Sequence, residues 1–494
     1  MQPVTIAAGA AFVALLLLFA VASVRARRLL KAPEDFFHFK GERRNFIKLL
    51  VATTSVGAGL SYALAAGGRN GLLMLAGPIA LCVGFYLLSL FNRFVVHPRV
   101  TRHPNLLLGF EREIAHDREA RSAFGPIVAL PLIAAFLLIF AFELFVSAQV
   151  LTAFIMPGRG AGADIFISTI LFAASLGYCL VGGAQAIARN EHAQLAGILA
   201  LLATLVVAAF LGGGVMDQTT EPRQLLKTDG HVLAAIGLAV VSAISTQFYS
   251  LLNIHAMSNI DDDKERSSML RKVGIGAALL FIVMVTLGAV VPMDWSGGLG
   301  TALGGLLKPF YAIPVLAPVA AAIIVFGLTS LLISTVDALM ITLTMFVTEN
   351  LIRRRAPQGE VYEGASFGGP RVALTLLFGV GYLVLSLFNY LRPDIFYLLL
   401  SIGSGIDVFS PLIVLAGILS RYPSGLAVLT NRALVVYAAL FVLAIGSNIY
   451  LTSTAPQMVP FVGLTFFAIS TVFSAVLYLR SGMIREQTLV RPAT

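Results

Sequence analysis

The chain has 494 residues, of which 58% are hydrophobic and only 12% are charged, and this composition excludes an ordinary soluble domain. The formal net charge is +9, but in a membrane protein the placement of Lys and Arg matters more than their sum, so the charge does not indicate nucleic-acid binding. The two cysteines, Cys82 and Cys179, lie inside apolar runs without metal-ligand spacing, which predicts packing residues.

Apolar runs of about 20 residues or more recur along the whole length, and each can cross a bilayer core of roughly 30 Å as a helix. The runs do not alternate as barrel strands do, so we predict an all-α integral membrane protein with about 13 transmembrane helices. The predicted spans lie near residues 5–24, 46–66, 71–96, 125–154, 164–187, 193–214, 231–252, 273–292, 310–348, 371–389, 395–419, 433–452 and 458–480.

The first span predicts the orientation of the chain. It has no basic residue before it and a basic cluster after it, which is typical of a spanning helix with its N-terminus outside and not of a cleaved signal peptide. In that orientation all but six of the 34 Lys and Arg fall on the cytoplasmic side. The six on the outer side are Arg69, Arg159, Arg223, Lys227, Lys308 and Arg392. The C-terminal tail, 481–494, is then cytoplasmic, and the expected location is a prokaryotic inner membrane.

Two stretches rich in Gly, Ser and Thr interrupt apolar spans. One covers residues 53–61 in the second span, and the other covers residues 242–247 in the seventh span, five spans later. Transporters built from inverted repeats place broken helices at corresponding positions of two five-helix halves. The other interpretation is that small residues let neighbouring helices pack closely.

Polar side chains recur inside the ninth span. Ser334, Thr335 and Asp337 lie at membrane depth, and the span ends at three arginines, Arg353 to Arg355. An ionisable group in hydrocarbon costs roughly 2.5–3.5 kcal/mol on insertion scales, so Asp337 needs a partner or a watery cavity. Adjacent oxygen ligands suit a small hard cation such as sodium.

The segment Ser334 to Ala338, followed by Thr348-Glu349-Asn350, resembles the STADS-type helix of the sodium/solute symporter family. Further resemblances follow in the family's order, although residues 189–192 replace its usual Thr-Asp. They lie at residues 67–72, Gln149, 177–194, 261–266, 402–411 and 424–427. The resemblance implies the leucine-transporter-type inverted-repeat fold. Its parts would be a peripheral first helix (1–30), two five-helix repeats (46–214 and 231–419) and two peripheral helices (433–480).

The resemblance also implies a sodium site between the second and ninth spans. Its ligands would be backbone carbonyls at Ala52, Ser55 and Leu331 with the hydroxyls of Ser334 and Thr335. Thr54 lies close to this set in the sequence.

Other polar residues in the spans are candidates for solute binding or coupling. Glu143 and Asp407 either face the central cavity, where they bind an amine or hydroxyl of the solute or carry a proton, or are structural carboxylates bonded to a neighbouring helix. Asp337 is interpreted as architectural or as part of gating. Candidate solute contacts, with interhelical hydrogen bonds as the alternative, are Gln149, Gln247, Tyr249 and Asn253. His192 and His255 show no metal-ligand spacing and are interpreted as interfacial or solvated.

The resulting functional hypothesis is sodium-coupled symport of a small polar organic solute, such as an amino acid or a carboxylate, into the cell. Sodium is the expected coupling ion, no organic cofactor is expected, and the absence of a phosphate loop or a nucleophile with its base argues against an enzyme. Two alternatives remain open. One is a transporter-like sensor that signals through a partner protein, and the other is a proton-coupled symporter that uses Asp407 or Glu143.

Overall fold

The structure is a computed structural model. It describes residues 3–37, 42–55, 59–101, 105–118, 123–211, 230–260, 262–290, 310, 313, 315–352, 368–392, 395–422 and 425–490. Over these ranges the chain forms 16 α-helices and no strand, which confirms the predicted all-α class.

The helices are numbered in chain order. They are α1 (Pro3–Arg27), α2 (Glu42–Ser55), α3 (Gly59–Asn70), α4 (Ala76–Leu90), α5 (Pro98–Thr101), α6 (Leu106–Arg118), α7 (Phe124–Ile155), α8 (Gly160–Leu211), α9 (Gly230–Ser245), α10 (Leu251–Ser258), α11 (Asp263–Val290), α12 (Leu316–Val347), α13 (Gly368–Leu391), α14 (Ile395–Leu419), α15 (Asn431–Thr454) and α16 (Val459–Val490).

Ten helical segments of the described chain are long and apolar enough to cross a membrane. The 52-residue α8 covers the fifth and sixth predicted spans, and Gly183 interrupts it with a left-handed φ of 52°. A Cβ atom at Gly183 would lie 2.7 Å from the carbonyl oxygen of Phe36, so only glycine fits there. The total of about 13 spans stays a prediction.

The outer surface of the bundle is apolar. Large side chains on the peripheral helices, among them Leu17, Leu383, Val442 and Leu479, are 61% to 70% exposed. In water such a surface would be an aggregation site, but in a bilayer it faces lipid tails of the same polarity. The surface thus supports the prediction of a multi-pass membrane protein.

The centre of the bundle is α12. Every residue from Gly327 to Phe346 is buried, and the helix packs against α1, α2, α7 and α8. A spanning helix buried on all sides can carry polar side chains, because these face protein and not lipid. The hydroxyl pair and the acid predicted in the ninth span therefore lie in the interior.

One of the two predicted breaks, in the seventh span, lies in the described residues, and the other lies outside them. In the second span α2 ends at Ser55 and α3 begins at Gly59, and the residues between them lie outside the described part of the chain. In the seventh span α9 ends at Ser245 and α10 begins at Leu251. The division of the chain into two five-helix repeats around these breaks stays a prediction.

The seventh-span break is a tightened turn followed by one extended residue. Phe248 N–H donates to the Ser245 carbonyl (3.0 Å) and Tyr249 N–H to the Thr246 carbonyl (3.2 Å), the three-residue spacing of a 3₁₀ turn. Ser250 is extended, with φ −93° and ψ 126°. The helical ladder therefore stops here and leaves backbone groups for side chains to satisfy.

Candidate functional site

The predicted sodium ligands lie on α2 and α12, which pack against each other. Ser334 and Thr335 are buried, and the Thr335 hydroxyl donates to the Leu331 carbonyl at 3.4 Å. Ala52 is buried near the end of α2. Only the backbone of Ser55 is described. The structure thus places both sets of predicted ligands on adjoining helices, while their assignment to sodium stays a prediction.

Thr54, beside these predicted ligands, bonds within its own helix. Its hydroxyl donates to the carbonyls of Leu50 (3.0 Å) and Val51 (2.9 Å). A hydroxyl that bonds to carbonyls of the preceding turn is satisfied within its own helix and slightly weakens that helix near its end.

A seam of buried polar atoms runs along α12 where it meets α8. Within the described residues the Ser330 hydroxyl and both carboxylate oxygens of Asp337 make no hydrogen bond of normal geometry, and the Gln194 amide and the Tyr178 hydroxyl lie close to that carboxylate. Ser330, Ser334 and Asp337 are spaced by four and three residues, so they share one face of α12. Buried polar groups are almost always satisfied, so this seam indicates groups that require an occupant such as an ion or water.

The two helices approach closely beside this seam. A Cβ atom at Gly197 of α8 would lie 2.8 Å from the Ser330 hydroxyl, and one at Gly327 of α12 would lie 2.7 Å from the Gly197 carbonyl. The two glycines therefore let the backbones of α8 and α12 come close together beside Ser330. An ion or water in the seam has little space on the side of these glycines.

Lys48 of α2 reaches into the same region. The side chain is only 6% exposed, and it interacts electrostatically with Glu191 and Asp337. Its Nζ lies 3.2 Å from Nδ1 of His255. We call Lys48, Glu191, His255 and Asp337 the charged cluster, and it joins α2, α8, α10 and α12.

His255 is buried, with 1% of its surface exposed, so its interpretation as interfacial or solvated was wrong. Its Nε2 contacts the Phe37 carbonyl at 3.0 Å, and its Nδ1 contacts the Thr342 hydroxyl at 2.9 Å. The carbonyl can only accept and the ammonium of Lys48 can only donate. His255 is therefore the neutral tautomer with its proton on Nε2.

Four of the other candidates meet at the seventh-span break. Asp407 is fully buried, and its carboxylate accepts hydrogen bonds from Ser242, Ser245 and, at 3.2 Å, Thr246. Asn253 donates at 3.0 Å to both the backbone and the side-chain oxygen of Gln247, so it bridges the break.

Tyr249 completes the packing of the break. Its hydroxyl donates to the Val128 carbonyl of α7, and its ring stacks on Phe409 with centroids 5.2 Å apart. Tyr249 and Asp407 thus connect the break to α7 and α14, whereas Gln247 and Asn253 bond within the seventh span. Their role in solute binding stays a prediction.

Glu143 and Gln149 lie on α7, away from this break. Glu143 is 1% exposed and lines a cavity of about 20 Å³ that Leu331 also lines. That volume accommodates about one water molecule. Gln149 is half-buried two turns further along α7. Glu143 is therefore close to a predicted sodium ligand, which its position in the sequence did not indicate.

Sequence reasoning missed Lys48, Glu191, Gln194 and His255. Lys48 follows the basic residues of the loop before the second span, and Glu191 belongs to the stretch 189–192 that departs from the family motif. The available signal was a lysine inside an apolar run and an acid in the middle of a long helical stretch.

Comparisons with known proteins bear on the fold. No family model and no curated protein matches the chain. A sodium-coupled sialic acid symporter in a substrate-bound outward-open state is similar over 95% of this chain and 98% of its own, with a TM-score of 0.66 and 14% sequence identity. MhsT in complex with L-phenylalanine is similar over 90% of this chain and 99% of its own, with a TM-score of 0.50 and 16% identity. The chain therefore has the leucine-transporter-type fold, as its motifs predicted.

Proposed function

We propose that the chain is a secondary active transporter that couples inward movement of sodium to symport of a small polar organic solute. The observation that carries the proposal is the seam on α12, where Ser330 and Asp337 hold buried oxygens that make no hydrogen bond of normal geometry, on the face that also carries Ser334. These are all oxygen donors, as sodium prefers. These oxygens can bind a cation, and they are not hydrogen-bonded to one another in the structure.

The position of this seam supplies a coupling logic. Hydroxyls and carbonyls bind sodium weakly enough to release it again. A ligand shifts a conformational equilibrium only through a difference in its affinity for the two states. The proposed sodium ligands on α2 and α12 are close together in one conformation of the transporter and apart in the other. Ion binding therefore favours the conformation in which they are close.

The solute is proposed to bind between α7 and the seventh-span break. Gln247 and Asn253 offer amide groups there, with Gln149 further along α7, and the class we favour is an amino acid, a carboxylate or a similar polar molecule. The likeness to a sodium-coupled sialic acid symporter and to a protein solved with L-phenylalanine supports this range. The proposed location is a prokaryotic inner membrane with the N-terminus outside.

The test is the thermal stability of the purified protein against a panel of solutes, in sodium chloride or in potassium chloride at equal ionic strength. A ligand that binds the native state raises the apparent stability by mass action, so the solute need not be known beforehand. We expect at least one solute to stabilise the protein only in sodium. In the Ser334→Ala/Thr335→Ala variant we expect the sodium dependence to disappear.

The matched control is Thr329→Ala, since Thr329 is buried on the same helix and its hydroxyl bonds to the Val325 carbonyl at 2.7 Å. This variant should keep the sodium dependence of the parent. A solute that stabilises the protein equally with and without sodium, but by an amount that varies with pH, would contradict the proposal. That result would favour a proton-coupled symporter that uses Asp407 or Glu143. Solute binding without any uptake into vesicles would favour a sensor.

A further inference from the structure

A cavity of about 410 Å³ lies between the beginning of α8 and the end of α13. Its volume is in the range of sites that bind small molecules. The lining residues come from these two helices and from the residue that follows α13, and they are Ala161, Ile165, Ser168, Tyr382, Ser386, Asn389, Tyr390 and Arg392. None of them is a candidate for sodium or solute binding, so the cavity needs an explanation of its own.

The cavity is open toward the lipid-facing surface of the bundle. Ile165 and Tyr390 line it and are both exposed. Leu383 and Leu387 precede Tyr390 on the same face of α13, and both are exposed and apolar, as side chains that face lipid are. Tyr390 itself comes at the end of the helix, where aromatic side chains mark the membrane interface. A molecule can therefore enter this cavity from the membrane.

The hydroxyl groups of the cavity wall have already used their protons. Ser168 donates to the Ile165 carbonyl at 3.0 Å, and Ser386 donates to the Tyr382 carbonyl at 2.9 Å. The Tyr382 hydroxyl lies 2.9 Å from that of Thr169, which itself donates to the Ile165 carbonyl at 2.8 Å, so Tyr382 is the donor of the shared bond. Since a hydroxyl has a single proton, these oxygens can only accept further hydrogen bonds.

Asn389 adds a buried acceptor to the same wall. Its side chain is 7% exposed, and its amide nitrogen donates to the Ser168 hydroxyl at 3.4 Å. Because Ser168 donates its proton to a carbonyl, the amide must present its N–H to this hydroxyl and not its oxygen. The amide oxygen accepts no hydrogen bond from the described residues. Buried polar atoms are nearly always satisfied, so this oxygen indicates a ligand that donates.

Arg392 contributes a positive charge beside these acceptors. It is the one residue other than glycine in the described chain with a left-handed backbone, at φ 49°, a conformation that is unfavourable for a side chain. Its guanidinium lies 2.8 Å from the carboxylate of Asp164 on α8. The pair has no net charge. The guanidinium has more N–H groups than this contact uses, and such groups suit a phosphate.

We propose that this cavity binds the phosphoethanolamine headgroup of a membrane lipid. The ammonium group only donates, so it matches the acceptor oxygens of Ser386 and Asn389, and it is attracted to the Tyr382 ring. The phosphate lies at Arg392, and the acyl chains extend along the exposed apolar face of α13. A headgroup with one positive and one negative charge matches the neutral pair of Arg392 and Asp164. The proposal requires a membrane protein only and does not depend on the coupling ion.

The test is a titration of the full-length protein in detergent with phosphatidylethanolamine, its monomethyl and dimethyl derivatives and phosphatidylcholine. Each methyl group replaces one N–H donor and keeps both charges. The midpoint of thermal unfolding reports affinity by mass action, and native mass spectrometry counts the lipids retained. We expect one retained phosphatidylethanolamine and an affinity that falls with each methyl group, to at least about tenfold weaker binding of phosphatidylcholine.

Two variants test the two ends of the headgroup separately. Asn389→Leu removes the buried acceptor and should bring the two end members of the series within about twofold of each other. Asp164→Asn/Arg392→Gly removes both charges at once, with a residue that suits the left-handed backbone, and should weaken all four lipids by about tenfold. The matched control is Thr375→Ala, since Thr375 is exposed on α13 and its hydroxyl bonds to the Arg371 carbonyl at 2.9 Å. It should bind as the parent does.

Equal affinity of the parent for phosphatidylethanolamine and phosphatidylcholine, tighter binding of phosphatidylglycerol, or no retained lipid would each overturn the proposal. Glycerophosphoethanolamine has the same headgroup without acyl chains, and binding as tight as that of the lipid would overturn the membrane as the source. Should Asn389→Leu not fold, the methyl series on the parent still decides, because it needs no substitution.

Discussion

Two buried acids on central helices have opposite surroundings. Asp407 accepts hydrogen bonds from three hydroxyls of α9 and of the turn after it, whereas the carboxylate oxygens of Asp337 make no hydrogen bond of normal geometry within the described residues. A fully hydrogen-bonded carboxylate stabilises the arrangement around it. These surroundings are typical of a structural carboxylate at Asp407, and the roles of both acids in transport stay predictions.

Substitution of Asp407 separates these roles. An asparagine side chain keeps one acceptor oxygen and adds an N–H group that can donate to a hydroxyl oxygen. Alanine removes both acceptor oxygens. We expect Asp407→Ala to lower stability by about 1–3 kcal/mol and Asp407→Asn to lower it less. Thermal unfolding in detergent measures both. A loss of solute affinity in Asp407→Asn without a loss of stability would instead support a direct role in transport.

Glycines determine how closely the helices approach one another. A Cβ atom at Gly67 of α3 would lie 2.1 Å from the Val285 carbonyl of α11, and one at Gly288 of α11 would lie 2.0 Å from the Leu64 carbonyl of α3. The two helices thus meet backbone to backbone, with one glycine on each side. This is the small-residue packing by which membrane helices associate.

Adding one methyl group at this contact tests it. Gly67→Ala must push α3 away from α11, and overpacking of this kind costs about 1–3 kcal/mol. The control is Gly77→Ala on α4, where nothing lies within 4 Å of the added atom. We expect a lower midpoint of thermal unfolding for the first variant and an unchanged or higher midpoint for the second. Equal midpoints would show that α3 and α11 are not in contact.

At the scale of the whole molecule, sequence reasoning predicted what depends on local composition. Apolar runs predicted the helices, and a cluster of Ser and Thr predicted the seventh-span break, because the residues responsible are neighbours in the chain. It did not predict the charged cluster. Lys48 and His255 are 207 residues apart, and Glu191 lies on a third helix. Contacts at such separations depend on helix packing, which a pattern in one helix does not contain.

The orientation of the molecule remains a prediction from the distribution of basic residues. It can be tested with single cysteines in a background without Cys82 and Cys179. Arg159→Cys lies in the exposed turn between α7 and α8 and should react with a membrane-impermeant maleimide in intact cells. Lys264→Cys, exposed at the start of α11, should react only after permeabilisation. The reverse pattern would invert the topology.

The hydrogen bonds at the seventh-span break have a consequence for movement. Asp407 and Ser410 tie α14 to α9, since Ser410 donates to the Ser245 carbonyl at 2.7 Å and Asp407 accepts from Ser242 and Ser245. Separating the two helices would strand a buried carboxylate and a free carbonyl in the membrane interior. In the proposed transport cycle α9 and α14 should therefore rotate together as one rigid body, with the hinge lying elsewhere in the bundle.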